Sequence, residues 1–250
     1  MSGAALLSEG VGAAGFELEF VTSAGVRAGG ALSVCWDVPF ERGRPVRSFP
    51  SYQGQRSCSG WWWLSGLGSH VGYESWLERD NLMVLDADPD VVAVASQPFR
   101  LSWTESGSGR RRRHAPDYFA RCRDGTVVIV DIRADDRIEA DDAAAFTATE
   151  LACRSVGWRY RRVGVVEPVL AGNLRWLAGY RHPRNRVEPH AVALVAAFGQ
   201  GCSLWEGAGS VGDPIAVLPT LYHLLWTGEL VADLTTRLDG GTSVLARRRA

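Results

Sequence analysis

The sequence lacks an excess of either charge, paired cysteines and internal repeats. Its 27 basic and 28 acidic residues give a net charge of -1, so no chain-wide field attracts nucleic acid, and any DNA binding must come from local patches. Its five cysteines form no C-x-x-C pair, which argues against a disulfide framework and against a structural zinc site. The thiols are therefore expected to be buried or idle in a reducing compartment.

The sequence shows neither a secretion signal nor a membrane-spanning segment. The first twenty residues carry no basic region followed by a long apolar one, as a secretion signal would. No segment reaches the ~18 uninterrupted apolar residues that a membrane span needs. What the chain does have is 46% hydrophobic residues and ten Trp, enough for one or two compact domains. We therefore expect a globular cytoplasmic protein that binds no membrane.

The pattern along the chain predicts an α/β protein in three parts. Residues 1–30 are rich in Gly, Ala and Ser and are predicted as a flexible arm carrying one strand at most. Residues 31–182 have the order helix, strand, strand, strand, helix, strand, which predicts a mixed sheet flanked by helices. The clearest members are a hairpin with a tight turn at Asp124-Gly125, a strand over 127–132 and an amphipathic helix over 139–156.

Residues 186–250 are predicted to form a second domain. Three helices, the third over about 214–226, precede two strands that Asp239-Gly240-Gly241 separates. This is the order of a winged helix, a module that docks on nucleic acid or protein. The third helix, "IAVLPTLYHLLW", is apolar with little positive charge, which favours protein docking over base readout.

The hairpin carries the residues with the most chemical meaning. Asp117 lies in "HAPDYF", and Asp131, Ile132 and Arg133 lie in "VDIR". Acids at the open ends of two paired strands lie side by side, and a residue two positions on points to the same face. Two carboxylates, a backbone carbonyl and a cation are the set with which a divalent metal hydrolyses a phosphodiester. An Asp-Arg ion pair that caps a strand is the alternative.

Several stretches in order resemble a known family. "GYESWLERDNLMVLDADPDVVAVASQPFRL", "RHAPDYF", "VVIVDIR" and a later acidic helix followed by "CRSVGWRY" resemble the TnsA-like endonuclease subunit of heteromeric transposases, over roughly residues 48–180. That family is similar to restriction endonucleases. The resemblance implies an α/β, restriction-endonuclease-like core with a mixed sheet flanked by helices, followed by a winged-helix-like C-terminal domain.

The resemblance also implies a set of site residues. The family's helical glutamate matches Glu78, with Glu74 one turn earlier as second choice, because the interval to Gln97 fits. The strand aspartate matches Asp117, and the position two before the family's lysine matches Asp131. The metal ligands implied are Glu78, Asp117, Asp131 and the carbonyl of Ile132, and a later helical acid falls on Glu150.

The activity implied is Mg²⁺-dependent nicking, with Mn²⁺ as substitute, of the non-transferred strand at transposon ends in double-stranded DNA. The implied partners are a DDE-type transposase and an AAA+ regulator. Arg133 departs from the family's lysine, and since a guanidinium stays protonated it can stabilise charge but cannot act as a base. A degenerate nuclease fold that only binds DNA or protein, and a stand-alone restriction or repair nuclease, are the alternatives.

Three further features allow two readings each. The run Arg110, Arg111, Arg112 and Arg113 is predicted as a basic loop that either contacts DNA phosphates or is merely solvated. His114 borders the site but could equally cap a turn. Trp61, Trp62 and Trp63 either stack on bases or, as most aromatics do, supply buried area.

Overall fold

The computed structural model describes residues 15–47 and 58–247. Its strands are β1 (Glu17–Val21), β2 (Arg27–Ala31), β3 (Gly60–Leu64), β4 (Ser69–Tyr73), β5 (Val91–Ser96), β6 (Phe99–Thr104), β7 (Arg111–His114), β8 (Tyr118–Cys122), β9 (Val127–Ile132), β10 (Arg159–Val163), β11 (Cys202–Ser203), β12 (Leu230–Ala232) and β13 (Ser243–Ala246). Its α-helices are α1 (Leu32–Cys35), α2 (Trp76–Ala87), α3 (Ala140–Ser155), α4 (Pro168–Ala178), α5 (Glu188–Ala197), α6 (Leu204–Val211) and α7 (Pro214–Trp226). Short 3-10 turns cover Phe40–Arg42, Asp135–Arg137, Pro183–Asn185 and Phe198–Gln200.

The chain divides into two compact units, and the mixed α/β class is confirmed. Unit 1 takes the described residues of Met1–Trp62, His70–Arg79 and Asp90–Val165, and unit 2 takes Trp63–Ser69, Asp80–Pro89 and the described part of Val166–Ala250. Within the described residues, no helix is both long and apolar enough to span a membrane.

Unit 1 contains two four-stranded sheets. One has the order β2-β1-β6-β7 and is antiparallel throughout. The other has the order β10-β9-β8-β5, in which β9 and β10 are parallel and the remaining pairs are antiparallel. Because parallel neighbours need a crossover, α3 connects β9 to β10. The mixed sheet predicted from the sequence is thus present, with β6 and β7 diverted into the second sheet.

Phe40 is at the centre of the apolar core of unit 1. Its ring centroid lies 5.4 Å from that of Phe20, 5.0 Å from Phe99, 5.7 Å from Phe119 and 6.0 Å from Trp158. The pairs with Phe20, Phe99 and Trp158 are edge-to-face, and such pairs stabilise a core beyond the area they bury. The same cluster takes side chains from both sheets and from α3, including Leu18, Leu101, Trp103, Val127, Ile129, Ala148, Ala152 and Cys153.

The β8–β9 hairpin follows its prediction closely. All six residues of β9 are buried, as a continuous apolar run bounded by a turn predicts. Gly125 has φ +84°, a conformation that glycine adopts without steric penalty, and Thr126 N donates to Asp124 Oδ1 over 2.9 Å. The helix predicted over 139–156 is α3, with Glu139 as its N-cap and Val156 as its C-cap.

The predicted flexible arm is wrong for the part of it that the structure describes, while residues 1–14 lie outside the described residues. Residues 15–30 contain β1 and all but the last residue of β2, and Phe16 and Leu18 are 1% and 3% exposed. The glycines that suggested an arm permit close packing instead, since a Cβ on Gly29 would lie 2.4 Å from the carbonyl oxygen of Leu18.

The predicted basic loop is wrong for three of its four arginines, and Arg110 alone lies outside a strand. Arg111–His114 form β7, which pairs with β6 in the register Leu101↔His114. Charged side chains are tolerated there because β7 is the edge strand of its sheet.

Unit 2 begins earlier than the boundary predicted at 182–186. Its C-terminal part starts at Val166, because α4 buries Ala171, Leu174 and Leu177 and packs against α7. The following elements come in the order α5, β11, α6, α7, β12, β13, and the strands form a sheet in the order β11-β13-β12. The predicted third helix is confirmed as α7, Pro214–Trp226.

Candidate active site

Asp117 and Asp131 face each other at the open end of the β8–β9 hairpin. The register pairs Tyr118 with Val130, so Asp117 and Asp131 occupy the next opposed position. Directly opposed residues have Cβ atoms roughly 5 Å apart on one face of a sheet. Asp117 Oδ2 accepts a 2.7 Å hydrogen bond from Ile132 N, and the Asp117 carbonyl accepts one of 2.8 Å from Gln97 N. The sequence-predicted pair is therefore brought together.

Asp131 is 1% exposed and both of its oxygens are hydrogen-bonded. His114 Nε2 lies 2.8 Å from Oδ1, and Tyr160 Oη donates to Oδ2 over 2.9 Å. Asp131 follows Val127 and Ile129 on the core-facing side of β9, where an unpartnered carboxylate would be costly. His114 on β7 and Tyr160 on β10 provide the partners.

Burial is the main cause that raises the pKa of Tyr160, and the Asp131 carboxylate adds to it. The Tyr160 hydroxyl therefore keeps its proton and remains a hydrogen-bond donor to Asp131 at neutral pH.

Glu78 lies in the first turn of α2 and shares the hydrogen bonds of that helix start. Glu78 N donates to Ser75 Oγ over 3.1 Å, Ser75 Oγ donates to Glu78 Oε1 over 3.1 Å, and Glu74 N donates to Glu78 Oε2 over 2.7 Å. This reciprocal arrangement is similar to a capping box. Burial raises the pKa of Glu78, the bonds from Glu74 N and Ser75 oppose that change, and the nearby Glu74 carboxylate adds to it.

The pKa of Asp117 shows that the three acids share one electrostatic environment. Burial raises this pKa well above its usual range, and the carboxylates of Asp131 and Glu78 raise it further. The bond from Ile132 N and the positive charge of Arg47 only partly oppose the increase. Negative charge therefore converges on Asp117 from the hairpin and from the start of α2.

Arg47 is the positively charged residue that lowers the pKa of both Asp117 and Glu78. Its Nη2 lies 2.6 Å from Glu74 Oε2, while Glu74 Oε1 is buried without a hydrogen-bond partner. Glu74, the second candidate for the helical glutamate, therefore pairs with Arg47, and the carboxylate of Glu78 is the one that adds to the raised pKa of Asp117.

Gln97 is hydrogen-bonded to the backbone of Asp117 and has a strained backbone conformation. Its φ is +45°, in the left-handed region that non-glycine residues seldom adopt and that clusters at functional sites. Its N–H donates to Asp117, its carbonyl accepts from Val46 N over 3.0 Å, and its buried Oε1 has no hydrogen-bond partner. The backbone of Gln97 thus fixes the position of Asp117.

Arg133 and Glu150 have other partners. Arg133 Nη2 lies 3.1 Å from Asp142 Oδ2 at the start of α3, and its Nε donates to Arg137 O over 3.1 Å. Glu150 pairs with Arg154 one helical turn later. Neither residue contacts the three acids through any of these bonds.

The basic run is partly neutralised within the fold. Arg111 pairs with Glu17, and Arg112 pairs with Glu105 and Asp141. Arg110 and Arg113 are exposed.

Of the tryptophans, Trp61 is 61% exposed, so burial does not explain its presence.

Three residues of the site were not assigned to it from the sequence. Arg47 precedes Glu78 by thirty-one positions without a motif, and Tyr160 lies in a strand with three arginines. His114 was left open because only the β6–β7 pairing directs it towards Asp131.

Comparison with protein-family models gave no match, and neither did a search of curated proteins. The site's chemistry must therefore be read from its own residues. By donor type, Glu78, Asp117 and Asp131 fit a hard divalent cation. After burial, the carboxylates of Asp131 and Glu78 are the next causes that raise the pKa of Asp117, and a cation would offset their charge. Within residues 15–47 and 58–247, no three His, Cys, Asp or Glu side chains are grouped closely enough to hold a metal ion.

Proposed function

We propose that this chain is a metal-dependent DNA endonuclease, the TnsA-like subunit of a heteromeric transposase that nicks the non-transferred strand at transposon ends. The observation that carries the proposal is the opposed pair Asp117 and Asp131 at the open end of the β8–β9 hairpin. Burial raises the pKa of Asp117, and the carboxylates of Asp131 and Glu78 raise it further. Perturbed carboxyl groups concentrate at catalytic sites. Their place at the open end of a hairpin in a mixed sheet agrees with a restriction-endonuclease-like core.

The proposed metal ligands are Glu78, Asp117, Asp131 and the carbonyl of Ile132, and the three acids would have to move closer together than they lie here to hold the ion. When bound, Mg²⁺ or Mn²⁺ would supply Lewis-acid polarisation of the scissile phosphate. The protein's own residues fix the ligands: Ile132 N and the Gln97 backbone hold Asp117, and His114 and Tyr160 hold Asp131. Such outer partners tune ligand orientation and affinity.

Arg133 is proposed to act as a fixed positive charge. All 27 basic residues of the chain are arginines, so an arginine where the family has lysine does not single out this site as decayed. Its Asp142 partner lies 30% exposed at the start of α3, so the pair can exchange for a phosphate. Arg133→Lys should keep appreciable nicking and Arg133→Ala should lose it; full activity in the alanine variant would remove Arg133 from the mechanism.

DNA and protein partners are assigned to different parts of the chain. Arg113 on the edge strand β7 and Arg110 just before it are both exposed, and we propose that they contact the DNA backbone, since exposed arginines suit phosphate contacts. The order and sheet arrangement of α5 to β13 support a winged-helix-like domain. Because α7 has an apolar sequence, we propose that this domain docks on protein, namely the DDE-type transposase or the AAA+ regulator.

The direct test is nicking of a supercoiled plasmid that carries transposon ends, with Mg²⁺ or Mn²⁺ and with the partner subunits. Asp117→Asn and Glu78→Gln should reduce nicking by at least about 100-fold, because each removes a charged ligand from a transition state stabilised by charge. Asp136→Asn is the matched control, since Asp136 is exposed. Equal nicking by Asp117→Asn and the wild type would refute the proposal.

A second function is favoured by one observation. Both Asp131 oxygens are occupied by His114 and Tyr160, and Arg133 is paired with Asp142, as expected of a nuclease fold that now only binds DNA or protein. Titration calorimetry with Mn²⁺ separates the two. Absence of Mn²⁺ binding by the folded wild type, with DNA binding that depends on Arg110 and Arg113, would favour the binding module.

A further inference from the structure

Unit 2 contains an open cleft that has no part in the proposed nuclease site. Its volume is about 480 Å³, and its lining includes Gly172, Asn173, Trp176, Tyr222, Arg237 and Leu238. Cavities of roughly this size accept small organic ligands. All of these residues belong to the Val166–Ala250 part of unit 2.

The cleft has an aromatic wall that is available to a ligand. Trp176 is 56% exposed, and its ring meets that of Tyr222 edge-on, with centroids 6.0 Å apart and planes at 86°. Tyr180 also borders the indole, with ring centroids 6.0 Å apart, and the exposed half of Trp176 is the part that a ligand can reach. An exposed indole held in place by a neighbour is suited to stacking on a flat ring.

Gly172 provides the space for that ring. It precedes Trp176 by one helical turn on α4, so the two positions share a face. A Cβ placed on Gly172 would have no heavy atom within 4 Å. The surface beside the indole is therefore open.

Asn173 connects α4 to the segment that carries Arg237. It is 8% exposed, its Nδ2 donates to Leu234 O and Thr236 O over 2.9 and 2.7 Å, and its Oδ1 accepts from Leu238 N over 3.1 Å. Three bonds from one buried amide hold residues 234–238 against α4. Arg237 is the cation that this segment presents.

The charge of Arg237 is uncompensated at the cleft. The guanidinium is exposed and forms no ion pair within the part of the chain that the structure describes, and none of the lining residues is acidic. Asp233 and Asp239, the nearest acids in sequence, accept hydrogen bonds from Thr235 and Gly241 in their own turns. The cleft therefore suits a ligand that combines a flat ring with negative charge.

We propose that this cleft binds one nucleotide unit of single-stranded DNA, with the base stacked on Trp176 and the phosphate on Arg237. Base stacking on an aromatic side chain is tolerant of sequence, and an arginine engages the phosphate with its planar fork of donors. A free nucleotide has the same chemistry, and the two sources are separated by experiment.

Binding is measured with the full-length chain in EDTA, so that the result does not depend on nuclease activity. The probes are a fluorescently labelled 15-nucleotide oligo-dT, followed by anisotropy, and dTMP, followed by calorimetry. Trp176→Ala should weaken oligonucleotide binding about 5- to 100-fold, and Arg237→Gln should weaken it and lower the salt dependence by about one counterion. Trp205→Ala and Arg184→Gln, at exposed positions of the same unit outside the cleft lining, should bind within about 2-fold of wild type.

Gly172→Leu keeps the test decisive if Trp176→Ala perturbs folding. It adds a side chain in open space, favours the helix and blocks the cleft, so it should weaken binding without lowering the thermal unfolding temperature. Tight dTMP binding that Gly172→Leu abolishes would support the site and assign it to free nucleotides. Wild-type binding by Gly172→Leu and Arg237→Gln, or no binding of either probe by the wild type, would overturn the proposal whether or not the protein nicks DNA.

Discussion

Asp117→Asn should stabilise the protein while abolishing the proposed activity. The asparagine keeps an oxygen that can accept from Ile132 N, so the 2.7 Å bond is preserved. What disappears is a charge that burial and two neighbouring carboxylates disfavour, as the raised pKa of Asp117 shows. Functional groups of this kind are held at a cost to stability.

The size of the gain follows from the hairpin geometry. Two unit charges about 5.5 Å apart, as on directly opposed strand residues, repel by roughly 3 kcal/mol at an effective dielectric constant of 20. Arg47 offsets part of this repulsion, and Asp117 itself is only partly buried, so we expect a gain of about 1–2 kcal/mol. For a protein of this size such a gain raises Tm by about 2–8 °C.

The gain should also depend on pH with a defined sign. The folded-state pKa of Asp117 is above its ordinary value of 3.8, so at intermediate pH the folded state binds more protons than the unfolded one, and wild-type stability falls as pH rises. The asparagine cannot titrate. The difference between variant and wild type is therefore largest above the folded-state pKa and shrinks as pH falls through it.

Calorimetric unfolding of wild type and Asp117→Asn between pH 5 and pH 8 tests this reasoning, with Asp136→Asn as the exposed control. A lower Tm for Asp117→Asn at pH 8, or an increase that is equal at both ends of the range, would refute the account of the site as a strained cluster of acids.

Three further predictions concern the groups around the acids, each measured by chemical denaturation. Tyr160→Phe leaves Oδ2 of buried Asp131 without its donor and should destabilise by about 1–3 kcal/mol; no change would show that water replaces the hydroxyl. Glu78→Ala should lose about 1 kcal/mol with the hydrogen bonds at the start of α2, whereas Glu78→Gln should retain most of it; equal losses would contradict the capping role. Gln97→Gly should remain within about 1 kcal/mol of wild type because glycine tolerates φ +45°, and Gln97→Val should lose roughly 2 kcal/mol; the reverse order would exclude backbone strain.

Local sequence signals predicted the elements that depend on local structure. The bounds of β9 follow from a buried apolar run after Asp124-Gly125, and α7 begins at Pro214, next to its N-cap Asp213. β7 was missed because its four polar residues become a strand only through pairing with β6, and β-propensity depends strongly on such context. The glycines of β2 likewise suggested an arm, although close packing is what requires them.

In the candidate site, too, contacts set by local sequence were predictable and contacts set by tertiary pairing were not. The opposition of Asp117 and Asp131 was predictable because one hairpin carries both. The partners of Asp131 were not, since His114 and Tyr160 reach it from β7 and β10 through long-range pairing. The direction of Arg133 depends on Asp142 in the first turn of α3, a tertiary contact that no spacing indicates.

The turn at Gly125 has a consequence for how the site could be gained or lost. Side chains alternate across a strand, so the number of residues in this turn decides which side chain of β9 stands opposite Asp117. Deleting one residue between Arg123 and Thr126 would place Ile132 opposite Asp117, and inserting one would place Val130 there. Either change would point the Asp131 carboxylate to the other face of the sheet. The acid pair is thus encoded by loop length as much as by residue identity, and a single codon insertion far from the acids would be enough to dismantle it.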